Sequence, residues 1–263
     1  MRALLLHILS ASFAIAALAD TPQQQIIAQA GLDQKLNAQV PLTLAFRDEH
    51  GKTVKLENYF GSKPVILVLA YYECPNMCTL VLNALLESAQ DLKFDAGKEY
   101  QIVVASIDPR ERPALAAAKK QIYTQRYGRP GTSSGWHFLT GDESQIVQLA
   151  SSVGYRFAYD PQTRQFAHPS VITVLTPAGK ISRYFAGIEY PPKELRLALM
   201  EASDNRIGSL TDRFFLLCFH YNPATGKYGL LIRRVMQFAG ISTVFVLGGF
   251  IALMIQREHS TPS

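Results

Sequence analysis

Two cysteines, Cys74 and Cys78, are close enough in the sequence for their sulfurs to act together at one redox or metal site. They follow the apolar run Val65–Ala70, which predicts a buried strand, and they precede residues 80–92, whose apolar positions recur at helical spacing. The pattern predicts that both sulfurs lie on one face at the start of a helix, as residues i and i+4. Such a position stabilises thiolates, lowers thiol pKa values and lets both sulfurs reach one soft metal ion.

The elements that must position these cysteines alternate between strands and helices along the chain. Strands are predicted at residues 42–46, 53–56, 65–71, 100–107, 136–139, 171–175 and 181–185, and helices at residues 80–92, 113–127, 143–153 and 192–202. Strand–helix–strand order makes the early strands parallel, and the turn at Pro177-Ala-Gly179 adds an antiparallel edge. This is the order of a thioredoxin-like α/β fold, in which the functional turn lies at the carboxyl end of a strand.

A histidine far along the chain, His168, is the candidate third ligand. It lies just before the predicted strand at residues 171–175, and in a thioredoxin-like fold the loop that enters this strand packs against the active-site turn. The order of elements therefore predicts that the imidazole faces the two sulfurs. Two thiolates and one imidazole form a trigonal ligand set suited to Cu(I), which accepts Cu(II) when water or another ligand is added.

The cysteine spacing by itself leaves two functions open. A disulfide between residues this close would cross-link almost no chain, so a purely structural bridge is disfavoured. The pair can bind a metal, or it can act as a thiol–disulfide oxidoreductase in which Cys74 attacks and Cys78 resolves. Thioredoxin-type redox turns have two residues between their cysteines, whereas this turn has three. A peroxidase of the peroxiredoxin type uses the same fold but is disfavoured, because His168 adds a second kind of soft ligand.

Both ends of the chain predict export and membrane attachment. Residues 3–18 are mostly apolar, follow Arg2 and end in a small-residue cleavage pattern, so residues 1–19 are predicted to be a signal peptide cleaved after Ala19. Residues 235–255 carry no charged side chain and are long enough, at about 1.5 Å per residue, to form a transmembrane helix. This order predicts an inner-membrane protein whose soluble domain faces the periplasm, with residues 256–263 in the cytoplasm.

Basic residues only slightly outnumber acidic residues in this chain. The 26 Lys and Arg residues and 21 Asp and Glu residues give a formal net charge of +5, a mild imbalance that does not point to nucleic acid as a partner.

Cys218 and His220 form a second pair of soft ligands near the predicted membrane helix. A buried apolar cysteine is the favoured interpretation of Cys218, and a transient copper or docking site is the alternative.

Three segments together carry a resemblance to a known family. Cys74-Pro-Asn-Met-Cys78 after an apolar strand, Ser106-Ile-Asp-Pro109 after the next strand, and His168 before the last hairpin are similar to the Sco/SenC family. The resemblance covers about residues 40–202. It implies a membrane-anchored, thioredoxin-like protein that binds copper and helps to assemble the copper centres of cytochrome c oxidase. It also implies that Cys74, Cys78 and His168 are the copper ligands.

The chain departs from the family pattern at two points. Asn76 stands where the family frequently has aspartate, so the turn lacks one negative charge near the thiols, which favours thiolates slightly. Better-known members carry an amino-terminal membrane helix, whereas this chain is predicted to use a cleaved signal and a carboxyl-terminal helix. The domain therefore is expected to face its partner differently while staying near the membrane.

These observations predict the following organisation and partners. A lead-in segment, residues 20–40, precedes the thioredoxin-like domain at residues 41–203, and a juxtamembrane segment, residues 204–234, leads to the membrane helix. The expected partners are the copper-binding subunit of cytochrome c oxidase and a thioredoxin-like reductant. The reductant is implied because copper binds reduced, deprotonated cysteines, and an oxidising compartment opposes that state.

Overall fold

The structure, a computed structural model, describes residues 22–74 and 77–204, the pairs 221–222 and 227–228, and four residues further on: Gly240, Ile241, Thr243 and Leu247. For residues 22–24, 77–78, 221–222 and 227–228 the description covers the backbone alone. The predictions for the signal peptide, for Cys218 and His220, and for the tail at residues 256–263 lie outside the described residues.

Five helices and thirteen short or medium strands have both ends among the described residues. The helices are α1 (Pro22–Gln29), α2 (Met77–Asp91), α3 (Pro113–Tyr127), α4 (Glu143–Ser152) and α5 (Pro192–Ser203). The strands are β1 (Gly31–Leu32), β2 (Ala45–Arg47), β3 (Thr53–Lys55), β4 (Val65–Ala70), β5 (Gln101–Ser106), β6 (Trp136–Leu139), β7 (Tyr155–Arg156), β8 (Ala158–Asp160), β9 (Gln165–Ala167), β10 (Val171–Leu175), β11 (Ile181–Ala186), β12 (Tyr221–Asn222) and β13 (Lys227–Tyr228). Two 3-10 turns, Leu56–Tyr59 and Ser133–Gly135, join them.

A five-stranded mixed sheet forms the centre of the domain, in the order β11-β10-β4-β5-β6. Strands β4, β5 and β6 are parallel, and β10 and β11 add two antiparallel strands on one side. This confirms the predicted α/β thioredoxin-like fold with parallel early strands and an antiparallel edge. Because a parallel strand is covered on both faces, every residue of β4 is apolar and buried.

The helices cover this sheet with apolar faces. Leu85, Leu86 and Ala89 of α2 are buried at helical spacing, and α5 contacts β10 and β11. Burial of each such large aliphatic side chain stabilises the fold by about 1.5–3 kcal/mol. The predicted bounds of three elements, 113–127, 136–139 and 171–175, coincide with α3, β6 and β10.

A hairpin that the sequence analysis did not predict, β8 with β9, stands directly before His168. Its strands pair antiparallel, with Tyr159 opposite Phe166. The side chain of Asp160 shapes the turn, since its carboxylate accepts hydrogen bonds from the Gln162 N–H and from the Thr163 hydroxyl, both at 2.9 Å. The strands are three residues each, too short for alternation to be read from the sequence.

The amino-terminal segment packs onto the domain. Strand β1 pairs antiparallel with β7, and the Asp33 N–H donates a 2.8 Å hydrogen bond to the Gly154 carbonyl. Gly154 has a φ of +67°, and a Cβ atom there would lie 1.7 Å from the Asp33 carbonyl oxygen. Glycine is therefore required for this close approach. The approach holds the segment at residues 31–33 against the end of α4.

The membrane prediction falls almost wholly outside the described residues. Within the part of the chain that the structure describes, no helix is both long and apolar enough to cross a membrane. The four described residues of the predicted span are helical and exposed: Gly240, Ile241, Thr243 and Leu247. In the predicted juxtamembrane segment, β12 and β13 form a small antiparallel pair.

Candidate metal site

The turn that carries Cys74 follows β4 directly. The Cys74 N–H lies 3.4 Å from the Tyr71 carbonyl, which closes a turn, and the Thr79 hydroxyl lies 3.5 Å from the Cys74 carbonyl. Cys74 therefore precedes helix α2, which begins at Met77. Residues 75–76 and the Cys78 side chain lie outside the described residues, so the arrangement of both sulfurs on one face, as residues i and i+4, stays a prediction.

The two cysteines differ in how much of them the structure describes. Cys74 is buried, with 9% of its residue surface exposed. Cys78 is the second residue of α2, and its side chain lies outside the described part of the chain. The backbone of Cys78 thus lies in the first helical turn, where unpaired N–H groups favour an anion.

His168 and Cys74 line the same cavity, which we call the site cavity. It has a volume of about 260 Å³ and opens at the carboxyl end of β4. The cause is sheet topology: β10 runs antiparallel to β4 with Ile172 opposite Val68, so the residues before β10 lie beside the residues after β4. The structure thus brings these two predicted ligands to one place, and their role in metal binding stays a prediction.

Hydrogen bonds determine which nitrogen of His168 carries the proton. Nδ1 lies 3.0 Å from the carbonyl oxygen of Pro169, which can only accept, and 2.8 Å from the hydroxyl of Tyr155. The Tyr155 hydroxyl donates its own hydrogen to the Leu69 carbonyl at 2.9 Å, so towards the imidazole it accepts. Both contacts require an Nδ1–H, which leaves the lone pair of the neutral ring on Nε2.

Aromatic side chains surround the imidazole. The ring of Tyr71 meets the His168 ring edge-on at a centroid distance of 5.9 Å, and it meets Phe166 at 5.4 Å. Tyr71 is buried, so the wall between the cysteine turn and the histidine is apolar and packed. An apolar wall limits water near the two predicted ligands and strengthens electrostatic interactions inside the site cavity.

The amino-terminal segment supplies another part of the cavity wall. Ile27, Ala30 and Gly31 line the site cavity from α1 and the start of β1. From the sequence, residues 20–40 are predicted only as a lead-in segment. Periodicity over so short a helix is weak, and only the tertiary contact of α1 with β8 and β9 reveals its place.

The Ser106-Ile-Asp-Pro109 segment does more than end a strand. The Ser106 hydroxyl donates a 2.5 Å hydrogen bond to the Glu111 carboxylate, and the other oxygen of Glu111 accepts a 2.8 Å hydrogen bond from the Glu73 N–H. Burial is the largest influence on Glu111 and raises the pKa of its carboxyl group. This buried acid therefore ties the loop after β5 to the turn that carries Cys74.

An arginine in the same loop reaches the hairpin before His168. Arg110 donates to both carboxylate oxygens of Asp108, at 2.8 Å from Nε and 2.7 Å from Nη2. Its guanidinium lies 4.7 Å from the ring centre of Tyr159 and 5.7 Å from that of Phe166. One exposed side chain thus joins the Asp108 loop to both strands of the β8–β9 hairpin.

The residues that support the site carry little signal in the sequence. Tyr155, Arg110 and Glu111 act on groups distant along the chain, and none of these contacts follows from periodicity or spacing. The nearest available signal is the Ser106-Ile-Asp-Pro109 segment of the family resemblance, which does not indicate these contacts.

The donor set agrees with a soft metal ion as far as it is described. A thiol and an imidazole nitrogen face one cavity, and Cys78 follows in the first turn of α2. Among the side chains that the structure describes, no group of three or more His, Cys, Asp or Glu residues is arranged to hold a metal. The predicted third donor, the Cys78 sulfur, is outside that set.

Comparisons with known proteins agree with the geometry. The family model described as SCO1/SenC matches residues 33–202. No curated protein is significantly similar in sequence. The chain is similar to a solved structure of a candidate electron transfer protein from Aquifex aeolicus VF5, at 26% identity and a TM-score of 0.57, covering 65% of this chain and 96% of that chain.

Two further solved structures share the fold at lower identity. BsSco, a member of the Sco family of cytochrome c oxidase assembly proteins in which a disulfide switch was identified, is 22% identical with a TM-score of 0.51, covering 65% of this chain and 97% of that chain. ScoI of Arabidopsis thaliana, solved with copper bound, is 18% identical with a TM-score of 0.50, covering 62% and 96%. At these identities the likeness shows the fold alone.

Proposed function

The chain belongs to the SCO1/SenC family, and we propose that it binds a copper ion through Cys74, Cys78 and His168 and delivers it during assembly of the copper centres of cytochrome c oxidase. The family match confirms the resemblance predicted from the sequence. The observation that carries the proposal is the site cavity, which Cys74 and His168 line together although they are distant in the chain. Solved Sco proteins with copper bound support copper as the cargo.

The chemistry of the site suits a transferable metal. Thiolate sulfur is a soft ligand that selects Cu(I), and the Nδ1–H tautomer of His168 presents Nε2 as the third donor. A three-coordinate ion leaves room for a thiolate or thioether of a receiving protein to attack. Exchange can then proceed one ligand at a time, while the ion keeps at least two donors throughout.

We propose that the domain faces the periplasm and is anchored in the inner membrane by residues 235–255. Their uncharged sequence supports this, and Ile241 and Leu247 are both helical with more than half of their surface exposed, at 53% and 55%. Apolar residues exposed on a helix are expected where lipid covers them. The partners proposed are the copper-binding subunit of cytochrome c oxidase and a thioredoxin-like reductant that keeps Cys74 and Cys78 reduced.

The proposal is tested by the copper content of the reduced full chain. We expect about one copper ion per wild-type chain, and almost none in Cys74→Ser/Cys78→Ser or His168→Ala. His137→Ala is the matched control, because His137 is half-buried in β6, the strand at the far edge of the sheet. Full copper content in His168→Ala would contradict the assignment of the imidazole as a ligand.

The same variants separate metal binding from dithiol exchange. An oxidoreductase that uses Cys74 and Cys78 does not need an imidazole ligand, so His168→Ala should keep its disulfide exchange rate. We expect this variant to lose copper and retain exchange of the cysteine pair. If wild type binds no copper but reduces disulfides of an oxidase subunit, the oxidoreductase function replaces the one proposed.

A further inference from the structure

We propose that Tyr155 is a positioning residue that holds His168 in the tautomer and orientation required for copper binding. The proposal rests on the proposed function and adds to it a residue outside the predicted ligand set. Tyr155 lies in β7, and its hydroxyl contacts both the imidazole of His168 and the backbone of β4.

The first step concerns the direction of the hydrogen bonds. The Tyr155 hydroxyl has one hydrogen, and it donates it to the Leu69 carbonyl at 2.9 Å. Towards Nδ1 of His168, 2.8 Å away, the same oxygen can therefore only accept. If the imidazole carried its proton on Nε2, the hydroxyl could bond Nδ1 only by giving up its hydrogen bond to the Leu69 carbonyl. Tyr155 thus disfavours that tautomer and keeps Nε2 available for a metal.

The second step concerns rigidity. Tyr155 is only 2% exposed, its ring lies nearly parallel to the His168 ring, at 23° and a centroid distance of 6.1 Å, and its strand pairs with β1. The packing of the Tyr155 ring and the pairing of β7 with β1 therefore fix the position of the Tyr155 hydroxyl. A fixed acceptor restricts rotation of the imidazole about its side-chain bonds.

The third step concerns what the hydroxyl connects. Leu69 belongs to β4, the strand that leads into the turn with Cys74, whereas His168 belongs to the loop before β10. One hydroxyl therefore joins the backbone that carries the thiol to the ring that carries the nitrogen ligand. This link fixes the separation of the two donors before the metal arrives, which lowers the cost of ordering them on binding.

The test compares Tyr155→Phe with wild type in the reduced full chain. Phenylalanine keeps the packed ring and removes only the hydroxyl, while the Pro169 carbonyl still accepts from Nδ1. We expect the copper content to stay near wild type, the Cu(I) affinity in competition with a chromophoric chelator to fall roughly 10- to 100-fold, and the ¹⁵N spectrum of the copper-free protein to show His168 shifting from the Nδ1–H form towards a tautomer mixture.

Tyr184→Phe is the matched control. The Tyr184 hydroxyl also donates to a backbone carbonyl, that of Val153 at 2.9 Å, and accepts from the Lys35 N–H at 3.1 Å, but it is bonded to no histidine. We expect this variant to keep both the His168 tautomer and the copper affinity of wild type. Loss of affinity equal to that of Tyr155→Phe would mean that any missing hydroxyl in this region has the same effect, and it would overturn the proposal.

The outcomes distinguish this proposal from the function on which it rests. Tyr155→Phe with wild-type copper affinity overturns the positioning role, whether or not the tautomer changes. Wild type without copper binding overturns the proposed function, and the ¹⁵N measurement on the copper-free protein then shows separately whether Tyr155 sets the tautomer of His168.

Discussion

The carboxylate of Glu111 accepts a 2.8 Å hydrogen bond from the backbone N–H of Glu73, the residue directly before Cys74. Its other oxygen accepts from the Ser106 hydroxyl. The turn that presents the thiol is therefore held from a loop outside its own sequence. The conformation of Cys74 depends on this buried acid as well as on the Tyr71–Cys74 turn.

Replacement of Glu111 should loosen the cysteine turn. Glu111→Ala removes the acceptor of the Glu73 N–H and leaves the buried Ser106 hydroxyl only the longer contact with the Asp108 carbonyl, at 3.3 Å. We expect it to lower the free energy of unfolding by about 1–2 kcal/mol. Glu111→Gln keeps one acceptor oxygen and can donate to Ser106, so it should cost less. Urea denaturation of the three proteins measures the difference. Equal stability of the alanine variant and wild type would show that the two hydrogen bonds contribute nothing.

Replacement of Arg110 should affect the hairpin before His168 rather than the whole fold. Arg110→Lys keeps the positive charge but loses the two-point contact with Asp108 and the stacking on Tyr159 and Phe166. We expect amide hydrogen exchange in β8 and β9 to become severalfold faster, with less than about 1 kcal/mol lost in global stability. Arg126→Lys on α3 is the control, since Arg126 stacks on Tyr123 instead. Unchanged exchange in Arg110→Lys would refute this link.

Removal of helix α1 should expose Cys74. Ile27, Ala30 and Gly31 line the site cavity, and within residues 25–30 only Ala30 belongs to the buried core. The test uses Cys78→Ser/Cys218→Ser, in which Cys74 is the one remaining cysteine. Deletion of residues 22–30 from this variant should leave it folded. We expect its Cys74 to react severalfold faster with an alkylating reagent than Cys74 of the undeleted variant. An unchanged alkylation rate with unchanged circular dichroism would show that α1 does not restrict access.

His137 should make the domain sensitive to acid. Burial, followed by the charge of Lys120, lowers the pKa of His137 from 6.5 to about 4. The unfolded chain thus takes up this proton at a higher pH than the folded chain does. The contribution to stability is complete above pH 6.5 and is lost as the pH falls towards 4, at no more than about 1.4 kcal/mol per pH unit.

His137→Phe removes the titrating group and keeps an aromatic ring beside Tyr59, which lies 4.3 Å away between ring centroids. We expect the free energy of unfolding of this variant to decline less than that of wild type between pH 6.5 and pH 4. Denaturation curves at four or five pH values give the two slopes. Parallel slopes would mean that His137 does not titrate differently on unfolding.

The order of helices and strands could be predicted because it depends on local patterns. The apolar run of β4 and the residue spacing of α3 are patterns among neighbouring residues, and they indicate which positions are buried. The predicted bounds of both elements are therefore close to the observed ones. Helix α1 and the β8–β9 hairpin were missed, since both are short and are stabilised by contacts with distant segments.

The candidate site could be predicted in part. Residue types and the order of elements placed Cys74 and His168 near each other, because strand pairing follows from fold topology. The exact start of α2 could not be predicted, since the sequence does not show where a turn ends and a helix begins; Cys74 lies before the described start at Met77. Tyr155 and Glu111 were missed because each joins a side chain, His168 or Ser106, to a backbone group, Leu69 O or Glu73 N, and a backbone group has no residue type to recognise.

The antiparallel pairing of β4 with β10 has a consequence for the order in which the protein matures. The side chains of Cys74 and His168 become neighbours only after β10 has joined the central sheet. A nascent or unfolded polypeptide therefore does not bring them together at one site. If the chain binds copper as proposed, the sheet must be completed first and copper received second. Under the proposed function, any substitution that opens this strand pair should release copper, whether or not it replaces one of the proposed ligands.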